Sequence, residues 1–256
     1  MVVKLTSQVP IFLPRFRFSP EVENIIQEQV DELLAQNLIK PSTSPYNFPV
    51  LPVKKRVPEG QPPKFRLCLD LRSLNKIAVK YNYPLPDINV TLQQMGGFAH
   101  YVKLDMANGF WQMGIHPDSE DYLSFSTAKG HFSMLRAPQG YISTPMWFQS
   151  ALNNVFGELL FPMKMTVTRN VNGELITTEE TRVRLQIYLD DAVLCCETFE
   201  ILIKMLKLCL KKLLKYRLKL KISKCTFDAK SIDFLGHEVS KIGIRKQEKY
   251  INKIME

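Results

Sequence analysis

Three aspartates, Asp105, Asp190 and Asp191, stand where apolar segments of the sequence end. Acidic residues are common in turns, so an adjacent pair such as Asp190 and Asp191 has an ordinary structural explanation. Asp105 weakens that explanation, because it is a further carboxylate at the end of an independent apolar segment. If the two segments are neighbouring strands of one sheet, the three carboxylates converge, and their repulsion destabilises the fold unless a cation neutralises it.

The chemistry of such a cluster is metal-dependent. Carboxylate oxygens are hard ligands, and they select Mg²⁺, with Mn²⁺ as a substitute. Two such ions about 3.5 to 4 Å apart can activate an attacking hydroxyl and stabilise the leaving oxygen of an in-line phosphoryl displacement. The aspartates therefore indicate a candidate phosphoryl-transfer site.

Hydrophobic spacing and turn residues indicate the elements that must position these aspartates. Helices are predicted from Pro20 to near Asn37, from Thr144 onwards, and from about Phe199 to Tyr216. Strands are predicted at Phe65–Leu71, before a turn at 107–109, at 184–195, at 226–227 and at 232–239. Asn172-Gly173 between two strand-like runs, Met163 to Thr178, indicates a hairpin. Mixed helices and hairpins without regular alternation predict an α+β fold.

Composition narrows the class of protein and of partner. The 256 residues are 45% hydrophobic and 23% charged, as in ordinary folded proteins, and the net charge of +9 favours nucleic acid over a membrane surface as partner. Five cysteines without CxxC spacing argue against a disulfide framework or a zinc site and for free thiols in a reducing compartment. The sequence also lacks a bilayer-length apolar run and a signal-peptide pattern, so we expect an intracellular protein that is not secreted.

Five segments of the sequence carry a family resemblance: Lys64–Lys76, Lys103-Leu104-Asp105, Pro138-Gln139-Gly140, Tyr188-Leu189-Asp190-Asp191 and Phe234-Leu235-Gly236-His237. They occur in the order and approximate spacing of reverse transcriptases, and the sequence looks most like gypsy-type LTR retrotransposons. The resemblance covers the chain from about Pro10 to its end. It implies a right-hand polymerase architecture of fingers and palm, in which helices back an antiparallel palm sheet and the thumb is largely absent.

The resemblance implies a division into domains. The family usually has a much shorter connection before the Tyr188 strand, so the hairpin around Asn172-Gly173 looks like an insertion of about twenty residues. Family members continue into a thumb, a connection and a ribonuclease H domain, so the chain is expected to be part of a Pol polyprotein. The expected ranges are 1–88 and 118–146 for the fingers, 89–117 and 147–256 for the palm, 163–182 for the inserted hairpin and 232–243 for a primer-grip-like hairpin.

The resemblance also assigns the aspartates. Asp105, Asp190 and Asp191 resemble the three metal-binding carboxylates of the palm, with Asp105 and Asp190 holding two Mg²⁺ ions and Asp191 completing the electrostatics. The backbone carbonyl of Met106 is an expected minor ligand.

Five further residues resemble groups that contact the incoming dNTP. Arg66 and either Lys54 or Lys55 match cationic residues on the triphosphate, where they stabilise developing charge. Phe110 matches the aromatic residue that excludes a 2′-hydroxyl, and Gln139 matches a retroviral glutamine on the nucleotide. The alternatives are a solvated face for the cations and a buried core position for Phe110.

Other residues are candidate contacts to the primer and template. Tyr188 and the Leu235-Gly236 turn are expected at the primer end, with the glycine permitting close backbone approach. His237 is expected to be a hydrogen-bonding surface residue rather than a catalyst. A basic run from Lys204 to Lys224 contains nine Lys or Arg and no acid. It contacts phosphates, or it is the solvated face of a palm helix.

These expectations combine into an RNA-directed DNA polymerase core that copies retrotransposon RNA into DNA. Its expected partners are an RNA or DNA template with a primer, dNTPs, and downstream thumb, ribonuclease H and integrase regions, without a membrane. The expected location is the cytoplasm, in element particles, with a nuclear phase. One alternative is a truncated or domesticated element product that binds nucleic acid or a partner without processive synthesis. Another, an RNA-dependent RNA polymerase, is disfavoured by Phe110.

Overall fold

The structure, a computed structural model, describes residues 1–55, 57, 60, 62–161, 163–171 and 174–247. The chain forms two compact units. Unit 1 comprises Met1–Asn82 and Phe110–Phe148, and unit 2 comprises Tyr83–Gly109 and Gln149–Glu256. Residues 83–88 belong to unit 2 and residues 110–117 to unit 1, whereas the sequence placed them in the fingers and the palm respectively. The assignment of fingers and palm to these ranges stays a prediction.

The three predicted helices are confirmed, and shorter ones accompany them. The short helices carry too few turns for a hydrophobic period to reveal them in the sequence. No helix in the described ranges is both long and apolar enough to span a bilayer. The helices are α1 Pro20–Ala35, α2 Arg72–Ile77, α3 Ile88–Gln93, α4 Pro117–Glu120, α5 Thr144–Phe156 and α6 Phe199–Lys215.

The strands form antiparallel ladders, as the hairpin-rich sequence predicts. They are β1 Ile39–Pro41, β2 Val50–Lys54, β3 Phe65–Leu69, β4 His100–Asp105, β5 Ser124–Thr127, β6 Gly130–Met134, β7 Met163–Val171, β8 Glu174–Tyr188, β9 Asp191–Cys196, β10 Thr226–Ala229, β11 Ser231–Phe234, β12 His237–Ser240 and β13 Gly243–Lys246.

Unit 1 is organised around α1. Pro20 occupies the first turn, where its missing N–H costs no hydrogen bond, and Ile26, Val30 and Leu33 follow on one buried face. These residues share a core with the β2–β3 pair and the sheet of order β1-β6-β5. In β3 the predicted alternation is present, with Leu67 buried and its neighbour Arg66 exposed. Burying one face of β3 therefore leaves its polar face available.

Unit 2 is built on a five-stranded sheet of order β10-β4-β9-β8-β7. The ladder between β4 and β9 runs from the pair His100 and Cys196 to the pair Asp105 and Asp191. The adjacent strands that the aspartate cluster requires are thus confirmed. The strands predicted around Asn172-Gly173 also pair as β7 and β8, although those two turn residues lie outside the described residues.

The strand predicted at 232–239 is wrong, whereas the hairpin expected over 232–243 is present. Leu235 and Gly236 have φ values of 48° and 80° and form a two-residue turn that ends β11 and begins β12. Such a turn requires left-handed backbone conformations, which a continuous strand cannot contain. A third strand, β13, extends the hairpin to a three-stranded sheet.

Candidate active site

The two adjacent strands place the predicted aspartates at one end of the sheet in unit 2. Asp105 is the last residue of β4 and is the cross-strand partner of Asp191, the first residue of β9. The backbone N–H of Met106 donates to the carbonyl of Asp190 at 2.9 Å, which ties the end of β4 to the turn before β9. Met106, the expected minor ligand through its carbonyl, is itself buried.

The turn that carries Asp190 is strained and is held by a buried side chain. Leu189 has a φ of 51°, a left-handed conformation that is unfavourable for a bulky residue and typical of functional sites. The fully buried Gln149 of α5 accepts a hydrogen bond from the Leu189 N–H at 2.8 Å through Oε1. Its Nε2 donates to the Ile187 carbonyl at 3.1 Å. One side chain therefore fixes both the strand end and the turn.

The electrostatics of the turn reflect crowded negative charge. Much of the surface of Asp190 as a whole residue is accessible to solvent. Its carboxyl group, however, is surrounded by neighbouring protein atoms. Burial raises the pKa of Asp190 to about 6, and repulsion from Asp105 and Asp191 adds to the rise, while Lys224 opposes it. These effects show that the three carboxylates lie close enough to repel one another.

Two lysines partly neutralise this charge. The Lys103 Nζ lies 3.1 Å from Asp191 Oδ2 and donates to the Asp233 carbonyl at 3.0 Å. The Lys224 Nζ lies 3.5 Å from Asp105 Oδ2. In the described residues, no three His, Cys, Asp or Glu side chains form a group placed to coordinate a metal. The aspartates converge, but two of them are turned towards lysines.

The donor set nevertheless suits a hard divalent cation. All three side chains are carboxylates, and repulsion from Asp105 and Asp191 adds to burial in raising the pKa of Asp190 despite the opposing charge of Lys224. Asp105 and Asp191 are also partly accessible, with side-chain exposures of 17% and 26%. Oxygen ligands of this kind bind Mg²⁺ and Mn²⁺.

In unit 1, the strand register separates the two candidate finger lysines. Val53 is the cross-strand partner of Arg66, and Lys54 is that of Phe65. Because side chains alternate along a strand, Lys55 shares the face of Val53 and Arg66, whereas Lys54 points to the other face. Arg66 and Lys55 both act on the pKa of Cys68, which burial raises and these two cations lower.

The remaining dNTP candidates also lie in unit 1. Phe110 is half-buried in a short 3₁₀ turn and packs edge-to-face on Phe148, with ring centroids 5.5 Å apart. Gln139 is exposed. The next residue, Gly140, has a φ of 104°, and a Cβ there would lie 3.0 Å from the Leu69 carbonyl oxygen. The loop therefore needs glycine beside Gln139.

The primer candidates belong to unit 2. Tyr188 is the last residue of β8, and its half-buried side chain packs on the cluster that includes Ile232 and Phe234 of the β11–β12 hairpin. Leu235 packs on the same cluster. His237 has its Nδ1 3.1 Å from the Leu235 carbonyl, which agrees with the expected hydrogen-bonding role. Tyr188 and the hairpin turn are thus fixed by one core.

Comparison with known proteins identifies the family. The profile of the family described as reverse transcriptase (RNA-dependent DNA polymerase) matches residues 53–239. The chain belongs to this family. The matched range includes both strands that carry the aspartates.

Curated relatives of the reverse transcriptase family place the chain among retrotransposon sequences. It is 31% identical over 244 residues to the retrovirus-related Pol polyprotein from transposon 297 of Drosophila melanogaster, covering 95% of this chain and 21% of that protein. It is 26% identical to the corresponding polyprotein from transposon gypsy of the same organism, covering 99% of this chain and 23% of that protein. The chain thus spans about a fifth of the length of these relatives, and the gypsy-type resemblance is confirmed.

Solved reverse transcriptase structures share the fold. The foamy viral protease-reverse transcriptase dRH in complex with double-stranded DNA superimposes with a TM-score of 0.80 at 22% identity, covering 98% of this chain and 39% of that one. The foamy viral protease-reverse transcriptase in complex with an RNA/DNA hybrid gives a TM-score of 0.77, covering 98% of this chain and 30% of that one. The expected α+β polymerase fold of fingers and palm is confirmed.

Sequence reasoning missed three side chains of the aspartate site. Gln149, Lys103 and Lys224 contact the turn or its carboxylates, but none was singled out for this role. The sequence contained a signal for Lys103, because this residue lies two positions before Asp105 and so on the same side of the predicted strand. Gln149 had one too, as a polar residue within the apolar stripe of α5. Lys224 is brought to Asp105 only by the tertiary fold.

Proposed function

We propose that this chain is the RNA-directed DNA polymerase core of a retrotransposon Pol polyprotein. The observation that carries the proposal is the convergence of Asp105, Asp190 and Asp191 at one end of the unit 2 sheet, in a member of the reverse transcriptase family. The substrates are dNTPs and a primer paired to an RNA or DNA template. The complexes of the foamy viral relatives with DNA and with an RNA/DNA hybrid support this choice.

The residues of the chain act mainly by positioning charge. Asp105 and Asp190, with Asp191, would hold two Mg²⁺ ions, which would supply activation of the primer hydroxyl and stabilisation of the leaving pyrophosphate. Gln149 orients the Asp190 turn through its bonds to Leu189 and Ile187. Lys103 holds Asp191 against the β11 strand.

The nucleotide contacts of unit 1 follow from the same proposal. Arg66 and Lys55 share one strand face, so they form a pair of cations for triphosphate oxygens. Phe110 excludes the 2′-hydroxyl and Gln139 contacts the nucleotide. Tyr188 and the Leu235-Gly236 turn contact the primer. Thumb, ribonuclease H and integrase regions of the polyprotein act with this core.

Primer extension tests the proposal. The chain, joined to the thumb of its own polyprotein, is incubated with poly(rA)/oligo(dT), dTTP and Mg²⁺, and Asp190→Asn is compared with it. We expect the substitution to reduce incorporation by roughly 100-fold or more, because it removes one charge that the reaction requires. Equal incorporation by the two proteins, or none by either, would reject the polymerase function.

A matched variant tests whether the loss of any carboxylate, rather than of Asp190 in particular, reduces incorporation. Asp118→Asn makes the same change at a side chain that is 88% exposed and belongs to α4 of unit 1. Its incorporation should equal that of the unchanged chain. Thermal unfolding of both variants shows whether each remains folded.

A further inference from the structure

The structure divides the basic run between Lys204 and Lys224 into two groups. Lys219 and Lys221 follow α6 and lie beside β4, where the Lys221 N–H donates to the carbonyl of Asp105 at 2.9 Å. These residues, with Lys224, belong to the edge of the aspartate site. The lysines within α6 lie away from the aspartates.

The solvent side of α6 carries four exposed lysines, which we call the lysine row: Lys204, Lys207, Lys211 and Lys215. Spacings of three and four residues align them on one side of the helix, over about 16 Å at 1.5 Å per residue. In the described part of the chain none of the four forms a salt bridge, whereas the neighbouring Lys212 pairs with Glu158 at 3.2 Å. The row is therefore a line of positive charge, and Glu158, which lies in the same groove as Lys211 and Lys215, is paired with Lys212 rather than with the row.

The lysine row lies on the opposite face of the sheet from the aspartates. Asp105 shares its face of β4 with Lys103 and Tyr101, and Tyr101 packs in the core beneath the β11–β12 hairpin. α6 packs against the other face, where its Cys209 lies beside Cys196 of β9. The sheet and the body of α6 thus separate the lysine row from the aspartates.

We propose that the lysine row is a second nucleic-acid contact, which holds the phosphate backbone of a single RNA strand on the back of the unit 2 sheet. Lysines bind phosphates as point charges without reading sequence. Tyr216 follows the row and is half exposed, with the Lys215 Nζ 5.7 Å from its ring centroid. Tyr216 and Leu208 line a groove of about 290 Å³ together with Lys211, Lys215 and the Lys212–Glu158 pair, so the groove offers an aromatic ring for base stacking.

The composition of α6 favours single-stranded nucleic acid over a membrane or a protein, and RNA is the strand that the proposed function supplies. A membrane-binding helix needs its main apolar face free, but Leu202, Cys209 and Leu213 are buried in unit 2. Few apolar side chains, such as Leu210 and Leu214, are exposed on α6. Lysine is depleted at protein interfaces, whose centres are apolar. A line of lysines beside one aromatic ring matches instead the surfaces that bind single-stranded nucleic acid.

Salt-dependent RNA binding tests the proposal. Fluorescence anisotropy of a labelled, unstructured RNA oligonucleotide is measured at several potassium chloride concentrations with the chain and with K204Q/K207Q/K211Q/K215Q. Gln preserves helix propensity, so α6 should remain folded. Loss of four phosphate contacts should reduce the slope of log affinity against log salt by about 3. The loss of affinity between 50 and 200 mM salt should therefore be roughly fiftyfold smaller for the variant.

The control removes the same charge elsewhere, at the exposed residues Lys4, Lys76, Lys80 and Lys241. An unchanged slope in the lysine-row variant, or an equal reduction in the control, would overturn the proposal. Unchanged RNA binding with lost binding to phosphatidylserine vesicles would assign the row to a membrane and would also overturn it. If the quadruple variant does not fold, K207Q/K211Q should reduce the slope by about 1.4. D190N should keep the full slope, so the test does not depend on polymerase activity.

Discussion

At the scale of single residues, the buried amide of Gln149 supports the turn that carries Asp190. A bulky residue at positive φ costs about 1 to 2 kcal/mol, and Leu189 adopts such a conformation immediately before Asp190. The hydrogen bond from its N–H to Gln149 offsets that cost. The position of the Asp190 carboxylate therefore depends on the Gln149 amide.

Gln149→Leu tests this support. The substitution preserves approximate size but leaves the Leu189 N–H and the Ile187 carbonyl without this partner. We expect the free energy of unfolding, measured in urea, to fall by about 2 kcal/mol, and primer extension to fall with it. Gln186→Leu, whose amide bonds the Gln94 side chain at an exposed position, should change stability by less than about 0.5 kcal/mol. Equal effects would contradict the role of Gln149.

Phe110 is predicted to select the sugar of the nucleotide. Phe110→Ala removes the ring that excludes a 2′-hydroxyl, so the ratio of rNTP to dNTP incorporation should rise by roughly tenfold or more in single-nucleotide extension. Phe12→Ala is the control, because it removes a ring of unit 1 that is 68% exposed, and it should leave the ratio unchanged. If rNTP use does not change in Phe110→Ala, its assignment as the selecting residue is wrong.

At the scale of elements, the hairpins determine where the site residues lie. The Leu189-Asp190 and Leu235-Gly236 turns are each two residues long, and each contains a leucine at positive φ. The sequence suggested that Gly236 permits close approach of nucleic acid. The structure shows a second reason for glycine at this position, because the φ of 80° at Gly236 is unfavourable for other residues.

Gly236→Ala tests the conformational requirement of the β11–β12 hairpin. We expect a loss of about 1 to 2 kcal/mol in the free energy of unfolding, the cost of a left-handed conformation for alanine. Gly96→Ala is the matched control, since Gly96 has no positive φ and a Cβ there would make ordinary contact with Ile244 at 3.6 Å. A Gly236→Ala variant as stable as this control would show that the turn tolerates a side chain.

At the scale of the whole molecule, the burial of the cysteine thiols shows how closely the core of unit 2 is packed. All five are free thiols, as their number and spacing predicted, and Cys195, Cys196 and Cys209 are fully buried. Burial raises the pKa of Cys196 and of Cys209 to about 12 and that of Cys195 well above its usual range. An intracellular, reducing location stays a prediction.

Thiol labelling at pH 8 checks this burial. Since a raised pKa keeps a thiol protonated below that pKa, the three buried cysteines should not react in the folded protein. Cys225 and Cys68 are partly exposed and should be the thiols that label, Cys68 more slowly because burial raises its pKa. After denaturation, all five cysteines should react with the label. Rapid labelling of Cys209 in the folded chain, located by mass spectrometry, would contradict the packing of α6 on the sheet.

The sequence by itself determined the main helices, the alternating faces of the strands, the three aspartates and the family. These features depend on local periodicity and on residue types in fixed order, which need no knowledge of distant contacts. The resemblance likewise supplied the candidate nucleotide residues, although it left Lys54 and Lys55 undecided.

Only the tertiary structure decided what depends on strand register and on contacts between distant segments. The β2–β3 register placed Lys55, rather than Lys54, on the face of Arg66. Folding brought Lys224 to Asp105 and placed the lysine row of α6 on the opposite face of the sheet. A sequence pattern fixes which residues share a face of one element, but packing alone determines which elements that face meets.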